Sequence, residues 1–341
     1  MKKRNVYLIL WIVFVLTFFC SFALGAITIS WNEMRGAVAH FFTGTIDRSS
    51  LDERIFFFIR MPRVILCSIA GAALSAAGAI TQALFRNPIV EPGLIGTSGG
   101  AAFGAAFLFV LGSTLSWTPG EWTMPIAAFG GGAFATWLVY LLSSAGAKKQ
   151  SVTTLLLCGI AINAMFMSGV GFFTYLARDP QARSIAFWNL GTLSGASWSA
   201  VFTVGTICAI AMALSLRRAK DLQAMLLGDE EATMLGVNTR RLKLAVSLLI
   251  VLMVAGVTAF TGVISFVGLV VPHLVRRMNM TNTRDIICAS ALTGAILLNL
   301  ADIVARLAFA PAEIPIGIIT SLVGAPFFLY LIRKSTDFYG E

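Results

Sequence analysis

VTTLLLCGIAINAMFMSGVGFFTYL, Val152–Leu176, contains no Asp, Glu, Lys or Arg. A helix needs about 20 apolar residues to cross the hydrocarbon of a bilayer, so this stretch reads as a membrane span. Nine more apolar stretches accompany it, near 6–29, 64–85, 94–112, 123–144, 198–216, 242–262, 263–278, 286–305 and 314–332. The composition agrees: of 341 residues, 57% are apolar and 12% charged, with a mean hydropathy of +0.85. Ordinary soluble domains carry about one quarter charged residues. The expected fold is an all-α polytopic membrane protein of about ten transmembrane helices, one transmembrane unit over residues 1–341.

The first run follows Met-Lys-Lys-Arg and has Ala23-Leu24-Gly25 near its end, as a signal peptide does. It is longer than the roughly 7–15 apolar residues of such a peptide, so a retained first helix is expected. The seventh and eighth runs adjoin around Gly262 and Gly268. Ala70, Gly71, Ser75 and Gly78, and again Gly96, Gly100 and Gly104, have the small-residue spacing that lets helix backbones approach.

Basic residues set the orientation. With the N-terminus inside and ten spans, 17 of the 25 Lys and Arg residues fall on the cytoplasmic side, among them Arg86, Lys148, Lys149, Arg217, Arg218, Arg240, Arg241, Lys243, Arg276 and Arg277. This predicts N-in, C-in. It also accounts for most of the net charge of +9 without nucleic acid. The other eight are all arginine: Arg35, Arg48, Arg54, Arg60, Arg63, Arg178, Arg183 and Arg306. They either snorkel or pair with Asp47, Asp52, Glu53, Asp179 and Glu313, or form an electropositive outer face for an acidic partner or anion.

Several chemistries are excluded. Two histidines, five scattered cysteines and no C-x-x-C or H-E-x-x-H spacing argue against a His/Cys metal site. No Gly-Lys dipeptide occurs, so there is no Walker A phosphate loop.

Four stretches stand out. Arg60-Met-Pro-Arg63 opens the second span, with proline suited to a first helical turn and two arginines three apart on one side. Between Gln82 and Gly96, Pro88 and Pro92 stop a helix while Gly93 and Gly96 allow a tight return. Non-helical backbone at this depth suits a gate or pathway lining; a plain turn is the other reading. The cytoplasmic loop 217–241 holds Gly228-Asp-Glu-Glu-Ala-Thr-Met-Leu-Gly236, with acids for a helix N-terminus and glycine for its end. Its short amphipathic helix is either interfacial or a knob for a cytoplasmic partner. In the last third, Asp302 and Arg306 are spaced for an internal ion pair, although ionisable groups inside membranes are functional suspects. His273, after Pro272, reads as a capping or packing residue.

Taken together, Arg60-x-Pro-Arg63, Arg86-Asn-Pro-Ile-Val-Glu-Pro-Gly-Leu-Ile-Gly96, Phe266-Val-Gly-Leu-Val-Val-Pro-His273, Asp302-x-x-x-Arg306 and Glu313-Ile-Pro-Ile-Gly-Ile resemble the permease subunits of type II ABC importers, the FecCD-like family for ferric siderophores, haem and cobalamin. The resemblance implies a homodimer of ten-helix subunits in a bacterial cytoplasmic (inner) membrane. Two ABC ATPase subunits would sit below and a periplasmic or lipid-anchored substrate-binding protein above. No cofactor would be bound by this subunit, ATP and Mg being on the ATPase. Arg60, Arg63 and Arg306 would meet acidic residues of the binding protein. Asn87 and Ile89, with Val152 and Thr153, would form the cytoplasmic gate. Gly228, Asp229, Glu230, Glu231, Ala232, Leu235 and Gly236 would seat in the ATPase. The family's halves are related by inversion, though no internal sequence repeat is visible here.

The motifs around Asn87 and Glu313 look most like the haem and cobalamin branches, and haem is the expected substrate, ahead of cobalamin or a ferric siderophore. The sequence offers no pair of His, Met or Tyr poised as axial iron ligands, as expected where the binding protein selects and the permease passes. A secondary transporter would need intramembrane carboxylates, for which Asp302 is the candidate. An intramembrane enzyme would need a nucleophile and base at one depth, and no such set is evident.

Overall fold

A computed structural model describes residues 3–25, 36, 50–114, 120–144 and 152–339, with no strand among them. The helices are α1 (Lys3–Ala23), α2 (Leu51–Ile55), a π turn (Phe56–Arg60) continuing into α3 (Met61–Leu84), α4 (Thr97–Thr114), α5 (Thr123–Ser144), α6 (Val152–Leu176), α7 (Asp179–Asn189), α8 (Trp198–Arg217), α9 (Ala219–Met225), α10 (Asp229–Met234), α11 (Thr239–Thr261), α12 (Val267–Arg277), α13 (Thr283–Leu307) and α14 (Ile316–Tyr339). A 3-10 turn, Pro92–Ile95, precedes α4. Among the described residues, seven helical segments are long and apolar enough to cross a membrane. Each of the ten apolar runs contains a helix among the described residues.

The element boundaries depart from the expectation in two places. Residues 263–278 do not form one continuous helix. α11 stops at Thr261, Gly262 takes φ +68, and α12 begins only at Val267. Eleven residues rise about 16 Å, roughly half the hydrocarbon. The second departure is α7, too polar and short for a hydropathy pattern to reveal.

α3 is apolar all round and buried on nearly every face, as a central membrane helix should be. α13 packs along it. Lipid and side chains are equally apolar, so this packing relies on close approach and interhelical hydrogen bonds. A Cβ on Gly71 would collide with the Gly294 carbonyl, and one on Gly100 with the Gly131 carbonyl. These are the contacts the small-residue spacing anticipates. Asn299 Nδ2 donates to Ser68 Oγ across the α3–α13 seam at 2.8 Å; such bonds contribute about 0.6 kcal/mol each on average. The outer helices α1, α5, α6 and α8 instead expose Leu16, Trp137, Phe172 and Phe202.

The helices define two ends. At one, the last turns of α1 and α13 meet the start of α3, through Arg60 Nη1 on the Phe22 carbonyl (2.8 Å) and Arg306 Nη1 on the Leu24 carbonyl (2.7 Å). At the other, the first turns of α1 and α13 meet, where Lys3 pairs with Asp285 and Tyr7 Oη donates to the Asp285 carbonyl. The end of α3, α9, α10 and the start of α11 join this second end.

Candidate functional site

At the first end the structure gathers Arg60, Arg63 and Arg306 around two carboxylates. Arg63 donates through Nε and Nη2 to Asp302 Oδ1 at 3.0 and 2.9 Å. Its Nη1 donates to both oxygens of Glu313, at 2.8 and 2.9 Å. Arg306 Nε lies 2.9 Å from Asp302 Oδ2, the expected i,i+4 pair. Its Nη2 reaches the Ser21 carbonyl and hydroxyl. Arg60 and Arg306 thus satisfy carbonyls at the C-terminal end of α1, where four acceptors lack intrahelical donors and positive charge is favoured.

Three guanidinium groups against two carboxylates leave a cluster charge of +1. All three arginines are buried, with 5–8% of their surface exposed. In this conformation they face inward and do not stand on an open outer surface. Arg54, Arg178 and Arg183 are the exposed arginines of that end. Arg35 and Arg48 lie outside the described residues.

At the second end the chain leaves α3 and doubles back. Arg86 adopts φ +51. Asn87 Oδ1 accepts from Ile89 N at 2.9 Å, a side-chain turn that leaves Ile89 half exposed. The 92–95 turn packs against α6, with Gly159 against the Leu94 carbonyl. Seven residues separate Gly159 from Val152, so the turn sits about 10 Å inward of that end of α6. Irregular backbone has therefore climbed back between helices, where protein surrounds it. Thr153 is exposed on the first turn of α6; Val152 opens that helix, its side chain outside the described set.

Three side chains tie this return segment to α12, and the sequence reading missed them. Glu91 Oε1 accepts from Phe266 N at 2.7 Å, beside a Phe266 held at φ +68. Gln82 Nε2 donates to the Leu269 carbonyl at 3.2 Å, and Arg276 donates to Gln82 Oε1. Glu91 is thus a second carboxylate among packed helices, besides Asp302. Its motif was visible in the sequence, but its depth was not.

The 228–237 segment forms the expected short helix. Gly228 precedes α10 at φ +143, and Asp229, Glu230 and Glu231 fill the first turn. Gly236, at φ +84, donates to the Thr233 carbonyl and Val237 to the Ala232 carbonyl, the double bond that closes a helix on a left-handed glycine. Ala232 is fully buried, while Leu227, Met234 and Leu235 are 67%, 87% and 64% exposed. Apolar side chains this exposed, flanking a tight turn, suit contact with a membrane interface or a partner's groove. Asp229 Oδ2 pairs with buried Lys243 Nζ on α11 at 2.6 Å, and Asp229 Oδ1 lies 3.6 Å from Arg86 Nη2.

Among the described residues no group of three His, Cys, Asp or Glu could hold a metal ion. The structure thus has a charged knot at one end, a folded-back segment at the other, and a helical knob beside it.

A profile of the FecCD transport family matches residues 12–334. The chain belongs to the FecCD transport family. It is similar to the hemin transport system permease protein HmuU of Yersinia pestis, with 40% identity over 283 residues, 83% of this chain and 84% of that one. It is likewise similar to the iron(3+)-hydroxamate import permease FhuG of Bacillus subtilis, at 35% identity over 342 residues and 98% of both chains. A solved structure described as an inward-facing conformation of a metal-chelate type ABC transporter matches 97% of this chain and 99% of its own, with TM-score 0.83 and 27% identity. As a FecCD protein the chain is a multi-pass permease subunit of an ABC importer, and ATP hydrolysis belongs to a separate ATPase. Such an importer also uses a substrate-binding partner.

Proposed function

We propose that this FecCD permease moves an iron-containing chelate, haem first, across a bacterial cytoplasmic membrane by alternating access. The observation that carries the reading is the family match over residues 12–334, supported by the 86–96 segment folding back between helices. Haem is supported by the 40% identity to the Yersinia protein and by the Asn87 and Glu313 motifs. A hydroxamate siderophore is the second reading, favoured by the 35% identity to FhuG over nearly the whole chain; cobalamin follows from the motifs.

In this proposal residues 1–341 form one transmembrane unit with ten spans, N-in and C-in, paired as a homodimer over two ATPase subunits. No cofactor resides in the permease; ATP and Mg are bound by the ATPase. The ligand-loaded binding protein docks at the end built around Arg60, Arg63 and Arg306. Their guanidinium groups are committed internally, so an acidic side chain of the binding protein must take over from Glu313 or from the α1 carbonyls, after attraction by exposed Arg54, Arg178 and Arg183. ATP binding closes the ATPase dimer, and the 228–237 turn carries that motion to Asn87, Ile89, Val152 and Thr153.

The test is the ATPase rate of the permease–ATPase complex in lipid, with its binding protein loaded in turn with haem, cobalamin and a ferric siderophore. Stimulation with haem and haem entry into vesicles is expected. Stimulation by another ligand alone would keep the importer and replace the substrate.

A further inference from the structure

Among the described residues, Asp229 links the α10 knob to the start of the folded-back segment. α10 is six residues long and packs on α9 and α11. α9 is moored to α13, where Gln223 Oε1 accepts from Thr283 N at 2.7 Å and from its hydroxyl, so α9 links the knob to a fixed helix. Toward the gate the connection is Asp229. One carboxylate oxygen is held by Lys243, a cation 4% exposed at the base of α11. The other is buried, has no hydrogen bond among the described residues, and faces Arg86 across 3.6 Å. Arg86 adjoins Asn87, whose side chain shapes the Ile89 turn, and it sits at a left-handed φ that costs an L-residue about 1–2 kcal/mol.

A buried carboxylate oxygen without a hydrogen bond is costly. A short movement of α10 toward α3 would bring Asp229 and Arg86 into a charge-assisted bond and pull on the turn beyond. Movement the other way would release it. A contact with two arrangements, one slack and one closed, is what a coupling element needs.

We propose that Asp229 is the positioning residue that transmits movement of the 228–237 helix to the Asn87–Ile89 turn, through Arg86, with Lys243 as its fixed pivot. This deepens the permease reading and rests on it.

The experiment measures substrate uptake per ATP hydrolysed by the complete complex in vesicles, for wild type, Asp229→Asn, Arg86→Gln and the double variant. A purely structural contact would alter yield or assembly and leave that ratio alone. Expected is a roughly tenfold fall in the ratio for each single variant, the scale of coupling between sites. The double variant should fall no further, because the two residues act as one unit. Asp229→Glu should recover part of the loss. Wild-type ratios in the single variants, or losses that multiply in the double, would overturn the proposal. Should Asp229→Asn fail to assemble with the ATPase, Arg86→Gln decides, since its side chain lies off the knob. Absence of ATP-dependent uptake by wild type itself would instead overturn the permease reading, and this proposal with it.

Discussion

Asp302 shows how far a local pattern reaches. Its pairing with Arg306 one turn away follows from spacing alone. Its stronger partner, Arg63, is 239 positions distant and makes two hydrogen bonds to the same oxygen. Asp302 is completely buried and flanked by two cations, so its removal leaves Arg306 without its carboxylate and Arg63 with Glu313 alone. Asp302→Ala should lower unfolding stability by about 3–5 kcal/mol, read as a large fall in denaturation midpoint of the purified protein. Glu313→Ala should cost much less, because its side chain is 35% exposed and water can replace it. Equal losses would mean that Arg63 is not held chiefly by Asp302. The carbonyls of Ser21, Phe22 and Leu24 as arginine acceptors were unreadable in advance, since backbone acceptors carry no sequence signature.

Among the helical elements, glycine has two distinct uses. Gly71 lies on the α3–α13 seam, where even a methyl group would strike the Gly294 carbonyl, whereas Gly171 on α6 has open space around its Cα. Gly71→Ala should therefore destabilise by about 1–3 kcal/mol through overpacking. Gly171→Ala should be neutral or gain a fraction of a kcal/mol from helix propensity. Thermal denaturation of the pair separates these outcomes, and matching midpoints would show that the seam is looser than the packing indicates. Gly236 has the other use, a left-handed helix end. Gly236→Ala should weaken the end of α10 by about 1 kcal/mol, detectable as faster amide exchange at Val237 while exchange in α11 is unchanged. That glycine was legible because Gly-Val after an acidic, apolar turn is a local signal. The short α12 was not, because residues 263–278 are as apolar as a span. What ends α11 is the backbone at Gly262, and Phe266 is fixed by Glu91 from a distant segment.

For the molecule as a whole, hydropathy and charge pattern carry the membrane character, since they depend on burial against lipid and not on which helix meets which. The family likewise follows from motifs in chain order, and residues 12–334 bear it out. What lay beyond reach was the third dimension of those motifs: that Arg60, Arg63 and Arg306 turn inward, that Glu91 enters the helical bundle, and that Asp229 bridges to Arg86 and Lys243. All are long-range pairings. They also sharpen the choice between an ATP-driven permease and an ion-coupled carrier, because Glu91 joins Asp302 as an intramembrane carboxylate. Both have internal partners: Asp302 is neutralised by two arginines and Glu91 caps a backbone amide. That arrangement suits scaffolding better than proton exchange. The most direct measurement is uptake of radiolabelled haem into vesicles holding the permease with and without its ATPase, with binding protein and ATP supplied. Uptake that requires the ATPase and hydrolysable ATP, and is indifferent to a proton gradient, is expected. Uptake that persists without the ATPase and follows the gradient would contradict the importer mechanism and turn attention to Asp302 and Glu91 as coupling sites.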